Sequence, residues 1–172
     1  GWSIKGNLPK INQYVLIVAP HTSNWDLIIG LMARFAVNTP IQFLIKKEAF
    51  VFPLKYILGP LGAIPIDRGK NLNFVDKICQ KFKEKEHERF ILGLAPEGTR
   101  SPVKRWKYGF YHIAHQANVP IVMVGMDYAA KEIRIAKPLQ TSGDLAKDYQ
   151  LLMQFFKTIH GKHKKELADY TK

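Results

Sequence analysis

Apolar positions along this chain come in two rhythms. Short unbroken runs, "YVLIVA" (Tyr14–Ala19), "FILGLA" (Phe90–Ala95) and "VPIVMVG" (Val119–Gly125), are rich in aliphatic, largely β-branched residues and read as buried strands. "IQFLIK" (Ile41–Lys46) and "AIPI" (Ala63–Ile66) are shorter strand candidates, and "MDYAAKEIRIA" reads as a strand, a tight turn and an edge strand. The other rhythm is helical. Phe74, Val75, Ile78, Cys79 and Phe82 make one stripe, which predicts an amphipathic helix over Asn73–Lys85. Further helices are predicted from Asn24 to about Val37, apolar on most faces, and over Tyr108–Ala117 with Asn118 as a left-handed stop. A last helix runs from about Asp144 to His160, ended by Gly161. The stretch Phe50–Leu61 is apolar but interrupted by Pro53, Gly59 and Pro60, as a broken helix would be.

Strands and helices alternate, and several strands are apolar throughout. Such strands need cover on both faces, so the expected class is α/β, a largely parallel or mixed sheet flanked by helices. In such sheets ligands bind beyond the carboxyl ends of the strands. The length of 172 residues fits one domain, 1–172, closing in a basic tail at 161–172. No segment reaches the ~20 apolar residues that span a bilayer.

Charge changes the picture more than composition does. Lys and Arg number 26 against 14 Asp and Glu, a formal +12, which favours anionic partners: nucleic acid, anionic lipid or a phosphorylated small molecule. Nucleic acid is disfavoured, because no DNA or RNA reader motif occurs and the basic residues cluster partly in the tail (Lys162, Lys164, Lys165). Cys79 is the only cysteine, so no intramolecular disulfide forms, and its place on the helical stripe reads as a small core residue.

Candidate chemistry gathers after the strands. His21 follows "YVLIVAP", Asp67 and Arg68 follow "GAIPI", and Glu97, Gly98, Thr99 and Arg100 follow "FILGLAP". If those strands are parallel, these groups share one rim. Ser23 is a natural N-cap and Asp26 stands at the capping-box position, so Asp26 serves the helix start. Side chains in a first turn lean back toward the N-terminus, which also aims Asp26 at His21. A carboxylate on one imidazole nitrogen leaves the other to take a proton. A serine nucleophile lacks support: there is no G-x-S-x-G, and Ser3, Ser23, Ser101 and Ser142 follow no buried strand directly. "HIAH" (His112, His115) reads as a helix surface pair, and no metal site is expected. Glu97 and Arg100 fit a turn with a surface ion pair. Arg68 and Lys70 on one loop, and Arg100, Lys104, Arg105 and Lys107 on another, equally fit a phosphate clamp.

These residues resemble a known family. "HTSNWD" matches the H-x4-D signature of the glycerolipid acyltransferases, the lysophosphatidate acyltransferase-like group. "GAIPIDR" resembles their second block, "APEGTRS" their third and "VPIVMVG" their fourth, in the same order from Val18 to Gly125. Two positions depart: Met123 replaces the usual second proline of the fourth block, and Pro65 a frequent aromatic of the second. The resemblance implies transfer of a fatty acyl group from acyl-CoA or acyl-carrier protein to a hydroxyl of a lysophospholipid-like acceptor such as 1-acyl-glycerol-3-phosphate. It implies His21 as general base oriented by Asp26, with Arg68, Glu97, Gly98, Thr99 and Arg100 forming the acceptor site, and no cofactor or metal. The +12 charge and the stretch Phe50–Leu61, beside Lys46, Lys47 and Lys55, suit a peripheral place on the cytoplasmic face of an anionic membrane, with that stretch an interfacial segment or else a buried one. The competing reading is a non-catalytic lipid-binding or carrier protein of the same fold.

Overall fold

The structure, a computed structural model, describes residues 1–49, 51–66 and 73–164. Among them, seven strands build one sheet: β1 (Ser3–Lys5), β2 (Gln13–Ala19), β3 (Gln42–Lys46), β4 (Ala63–Ile66), β5 (Phe90–Leu94), β6 (Ile121–Asp127) and β7 (Glu132–Ile135). Their order in space is β1-β7-β6-β2-β5-β3-β4. β2 lies between β5 and β6 and parallel to both, so Ile17 pairs with Leu94 on one side and Met123 on the other. β3 and β4 extend the parallel part, while β7 folds back antiparallel on β6. The class is α/β with a mixed sheet, as the alternation predicts.

β7 is not the edge strand expected of it. β1 pairs along it, Ile4 opposite Ile133, and takes the edge itself. A three-residue strand, "SIK", is too short for any periodicity to announce.

Helices α3 (Phe74–Glu84), α4 (Gly109–Gln116) and α5 (Leu145–Phe156) cover one face. Phe82, Ile113, Leu152 and Phe156 pack there against Val15, Ile17, Leu92 and Ile121, all essentially inaccessible to water. Trp106, flanked in sequence by cations, turns inward and meets Tyr149 and Phe156 edge-on, which pins the preceding loop to this core. Cys79 packs against the same cluster. Among the described residues the opposite face, with Tyr14, Leu16, Ile91 and Val122, is packed chiefly by α1 (Trp25–Ala36), through Ile29 and Ala33. The expectation of full cover on both faces therefore fails here. One helix of 12 residues is about 18 Å long and cannot roof the sheet, so β3 stays half-buried along Phe43–Ile45.

Two helix ends also differ from expectation. Asn24, not Ser23, holds the cap position of α1; Ser23 Oγ accepts from the Trp25 amide at 3.2 Å. α5 stops at Phe156 rather than near His160, because the chain turns there to bury Ile159 and to give the His160 carbonyl to the Tyr128 amide. A 3-10 turn, Lys47–Ala49, precedes the broken apolar stretch, which contains the short α2 (Leu54–Leu58); Phe50 lies outside the described residues.

Candidate active site

Three parallel strands end at one rim, and the chain leaving each supplies a polar side chain. His21 follows β2, Glu97 follows β5 and Tyr128 follows β6. His21 and Glu97 meet as the parallel reading requires: the His21 amide donates to Glu97 Oε2 at 2.8 Å. Arg68, with Asp67, Gly69 and Lys70, lies outside the described residues.

Asp26 organises the rim. Its Oδ2 accepts from the amides of Thr22 (2.8 Å) and Ser23 (2.9 Å) and lies 2.9 Å from His21 Nδ1. Its Oδ1 accepts from the Tyr128 hydroxyl at 2.6 Å. With Asn24 at the cap the expected capping box does not form, but Asp26 still accepts from the amides just ahead of α1, so one carboxylate serves both the helix start and the histidine. Asp26 is almost wholly buried. Burial pushes its carboxyl up, yet the hydrogen bonds from His21, Tyr128, Ser23 and Thr22 outweigh that, and it stays below the ordinary carboxylate value. The positive end of α1 acts in the same direction. An ionised carboxylate only accepts, so the pair assigns the imidazole proton to Nδ1 and makes Nε2 the atom to which a proton from a ligand would go.

His21 and Asp26 line the mouth of a cavity of ≈ 680 Å³ on the incompletely covered face. Leu27 and Leu31 of α1, Phe43 and Ile45 of β3 and Leu58 of α2 give it an apolar wall, and Gly98, Thr99 and Arg100 line it together with the histidine. The volume falls within the range of small-molecule sites. A hydrocarbon chain suits such walls, while a hydroxyl brought to Nε2 of His21 would lose its proton there.

The loop after β5 divides its labour. Glu97 is buried, 2% exposed, and braces the His21 backbone, while Gly98 takes a left-handed φ of 66° that turns the chain outward. Thr99 and Arg100 are exposed beyond it, and Thr99 Oγ1 accepts from the Ser101 amide at 3.3 Å. Arg100 donates to Asn24 Oδ1 rather than pairing with Glu97. His112 and His115 are on the α4 surface, as expected. Among the described residues, no three His, Cys, Asp or Glu side chains group to hold a metal ion.

Tyr128 is the residue the sequence reading missed. Its ring meets Trp2 edge-on at 4.9 Å, so the N-terminal edge of the sheet holds it against Asp26. Burial and the Asp26 carboxylate both push its phenol well above its usual value, so it remains a donor. The signal that finds it is the rule already applied to β2 and β5: Tyr128 is the first residue past the carboxyl end of β6.

No helix among the described residues is long and apolar enough to cross a membrane. A search of curated proteins finds no match. The family model described as Acyltransferase matches residues 3–127, which takes in β1 through β6 and with them His21, Asp26, Glu97 and Arg100, and ends one residue before Tyr128. A match over most of the chain places this protein in the acyltransferase family.

Proposed function

We propose that the protein moves a fatty acyl group from a thioester donor, acyl-CoA or acyl-carrier protein, to the hydroxyl of a lysophospholipid-like acceptor such as 1-acyl-glycerol-3-phosphate. His21 Nε2 takes the hydroxyl proton as the acceptor oxygen attacks the thioester carbonyl. The carbon–sulfur bond then breaks, and the departing thiolate recovers the proton from His21. Asp26 holds the imidazole in the tautomer this needs and stabilises the imidazolium that forms. Glu97 sets the height of the His21 backbone, the apolar cavity receives acyl chain, and Arg100, with Arg68, which follows β4 in the sequence, binds acceptor phosphate. A positioned base supplies about 10²–10⁴-fold, and orientation of the two reactants roughly 7–11 kcal/mol, so placement of the lipids contributes more than proton transfer.

The observation that carries this reading is the 2.9 Å contact of His21 with a buried, multiply bonded carboxylate at the mouth of an apolar cavity. A surface for lipid adjoins it. Trp25, Ile28, Met32 and Phe35 recur at helical spacing on the outer side of α1 and are exposed, with Met32 67% exposed. Phe52, Tyr56 and Ile57 around α2 are exposed as well, beside the exposed Lys46, Lys47 and Lys55. Apolar side chains rimmed by cations suit the interface of an anionic bilayer, where each basic residue contributes about 1 kcal/mol, so the protein docks peripherally with its cavity facing the lipid.

The test is turnover by purified protein offered acyl-CoA or acyl-carrier protein with a panel of lyso-acceptors, read by mass spectrometry. Wild type forms the diacyl product only when the acceptor is present. His21→Ala loses about 10²–10⁴-fold in turnover while the protein stays folded, at the cost in stability of one hydrogen bond to Asp26. Full activity in His21→Ala removes the base. Tight lipid binding by wild type without product in any donor–acceptor pair favours the carrier reading.

A further inference from the structure

From Lys157 to Lys164, the described residues beyond α5, the chain runs back over the molecule. Ile159 is buried, and the His160 carbonyl accepts from the Tyr128 amide at 2.8 Å. Gly161 rests on the loop that carries His21: a Cβ there would stand 2.7 Å from Thr22 Cγ2 and 2.9 Å from Thr22 Oγ1, closer than real contacts allow. The His163 amide then donates to Thr22 Oγ1 at 3.4 Å. These three anchors form a strap that carries Lys162 and His163 over the first turn of α1. Lys162 Nζ is positioned there 5.0 Å from the centre of the Trp25 ring.

Arg100 faces the strap, held by Asn24. With Ser23, Ser101 and Trp25 these side chains line a shallow, open depression of ≈ 520 Å³ with no carboxylate in its lining. Neither Arg100 nor Lys162 pairs with an acid among the described residues. The depression shares Asn24 and Arg100 with the apolar cavity, so it adjoins that cavity within one helical turn of Asp26. Its polarity is the reverse of the cavity's: donors and cations in place of aliphatic walls.

With Arg100 as a phosphate ligand, we propose that Lys162 and His163, from a segment that lies outside the family match, complete that phosphate subsite in this depression. The guanidinium of Arg100 gives a planar pair of donors, Lys162 a mobile point charge, and the serine hydroxyls and His163 ring further hydrogen bonds. That set suits the tetrahedral oxygens of a phosphate ester. The positive end of α1 adds to the field. The proposal rests on the acyl-transfer reading only for the source of the phosphate, which is carried by the thioester donor or by the acceptor.

The experiment measures binding without turnover. His21→Ala protein, full chain, is titrated calorimetrically with CoA and with pantetheine, and with a short-chain 1-acyl-glycerol-3-phosphate and the matching monoacylglycerol. At least one phosphate compound binds about tenfold or more tighter than its phosphate-free partner, and more weakly as salt rises. A preference for CoA over pantetheine assigns the subsite to the donor; a preference within the glycerol pair assigns it to the acceptor. Lys162→Ala with His163→Ala removes most of that preference, and Lys162→Arg restores it. In the otherwise wild-type enzyme the same double substitution raises KM for the phosphate-bearing reactant and leaves kcat nearly unchanged. An undiminished preference in the double variant, or no preference for either phosphate compound, overturns the subsite. Because the binding arm needs no product, it stands whether or not wild type shows acyl transfer.

Discussion

Asp26 and Asp148 lie on opposite faces of the sheet, and they are held in similar ways. Each is buried, and each accepts from a tyrosine hydroxyl and from backbone amide: Asp26 from Tyr128 and the Thr22 and Ser23 amides, Asp148 from Tyr111 and the Ser142 amide. The remaining partner differs. At Asp148 it is the Ser142 hydroxyl, 2.9 Å away, and the network closes inside a core roofed by α3, α4 and α5. At Asp26 it is an imidazole at the mouth of a cavity. A satisfied buried carboxylate is therefore not by itself a sign of chemistry. What separates the two is cover: three helices seal one face, and one helix leaves the other open enough to admit a ligand.

The sharpest break in that comparison is a truncation on the sealed side. Phe156 is fully buried and stacks edge-on against Trp106. Phe156→Ala should cost about 3–5 kcal/mol by urea unfolding at neutral pH, because no helix can shift to fill the hole. A much smaller loss would mean that the sealed face is packed no better than the open one.

Next in size is the pair of tyrosines. Tyr128→Phe removes one bond to an ionised acid, worth roughly 1.5–3 kcal/mol, and part of that loss should appear as activity: a kcat about tenfold lower with KM kept. The Tyr128 bond helps hold Asp26 below its ordinary value, so removing it lets the carboxyl rise and weakens its hold on the imidazole. Tyr111→Phe on the sealed side should cost stability and leave kcat in place. Equal behaviour of the two variants would make Tyr128 a structural residue only.

Acid itself gives a smaller effect. Asp26 has its folded value depressed, so its ionised form contributes stability fully above the unfolded value near ~4, and that contribution fades as pH falls through the folded value. Asp26→Asn is therefore less stable than wild type at pH 7, and the two curves should converge toward pH 3 when unfolding is followed across that range. A constant gap at all pH values would mean the carboxylate is not held ionised by its partners.

Much of this arrangement is legible in the residues. The five-position spacing of His21 and Asp26 across a strand end, and the parallel pairing of β2 with β5, bring the imidazole, its acid and the Glu97 loop together as the alternating runs imply. The role of Glu97 is not legible. In "PEGTR" an acid three residues from an arginine resembles a surface ion pair, and only the left-handed turn at Gly98 shows that Glu97 faces inward while Arg100 faces out. Tyr128 is hidden for a different reason: its partner is 102 residues away in sequence, so no local period encodes the contact. The strap is masked by the last helix, since Gly161 looks like an ordinary helix stop until its seat on Thr22 is seen. The open face is misjudged because an apolar strand implies cover without saying whether protein or lipid supplies it.

That ambiguity sets the smallest and most informative prediction. Met32 is 67% exposed on the outer stripe of α1 and packs against nothing that folding needs. Met32→Gln keeps helix propensity and length, so unfolding free energy should change by no more than about 0.5 kcal/mol. If lipid is the missing cover, the same change removes apolar burial at the interface. Flotation with vesicles of phosphatidylglycerol and phosphatidylcholine should then show binding weaker by roughly tenfold. An equivalent change at Leu151, exposed on α5 of the sealed side, should leave vesicle binding unaltered. If both variants float like wild type, the stripe does not meet lipid, and the opening above His21 must be covered by something other than a bilayer. If Met32→Gln alone is released, one face of the sheet is finished by protein and the other by the membrane, and His21 stands at that boundary.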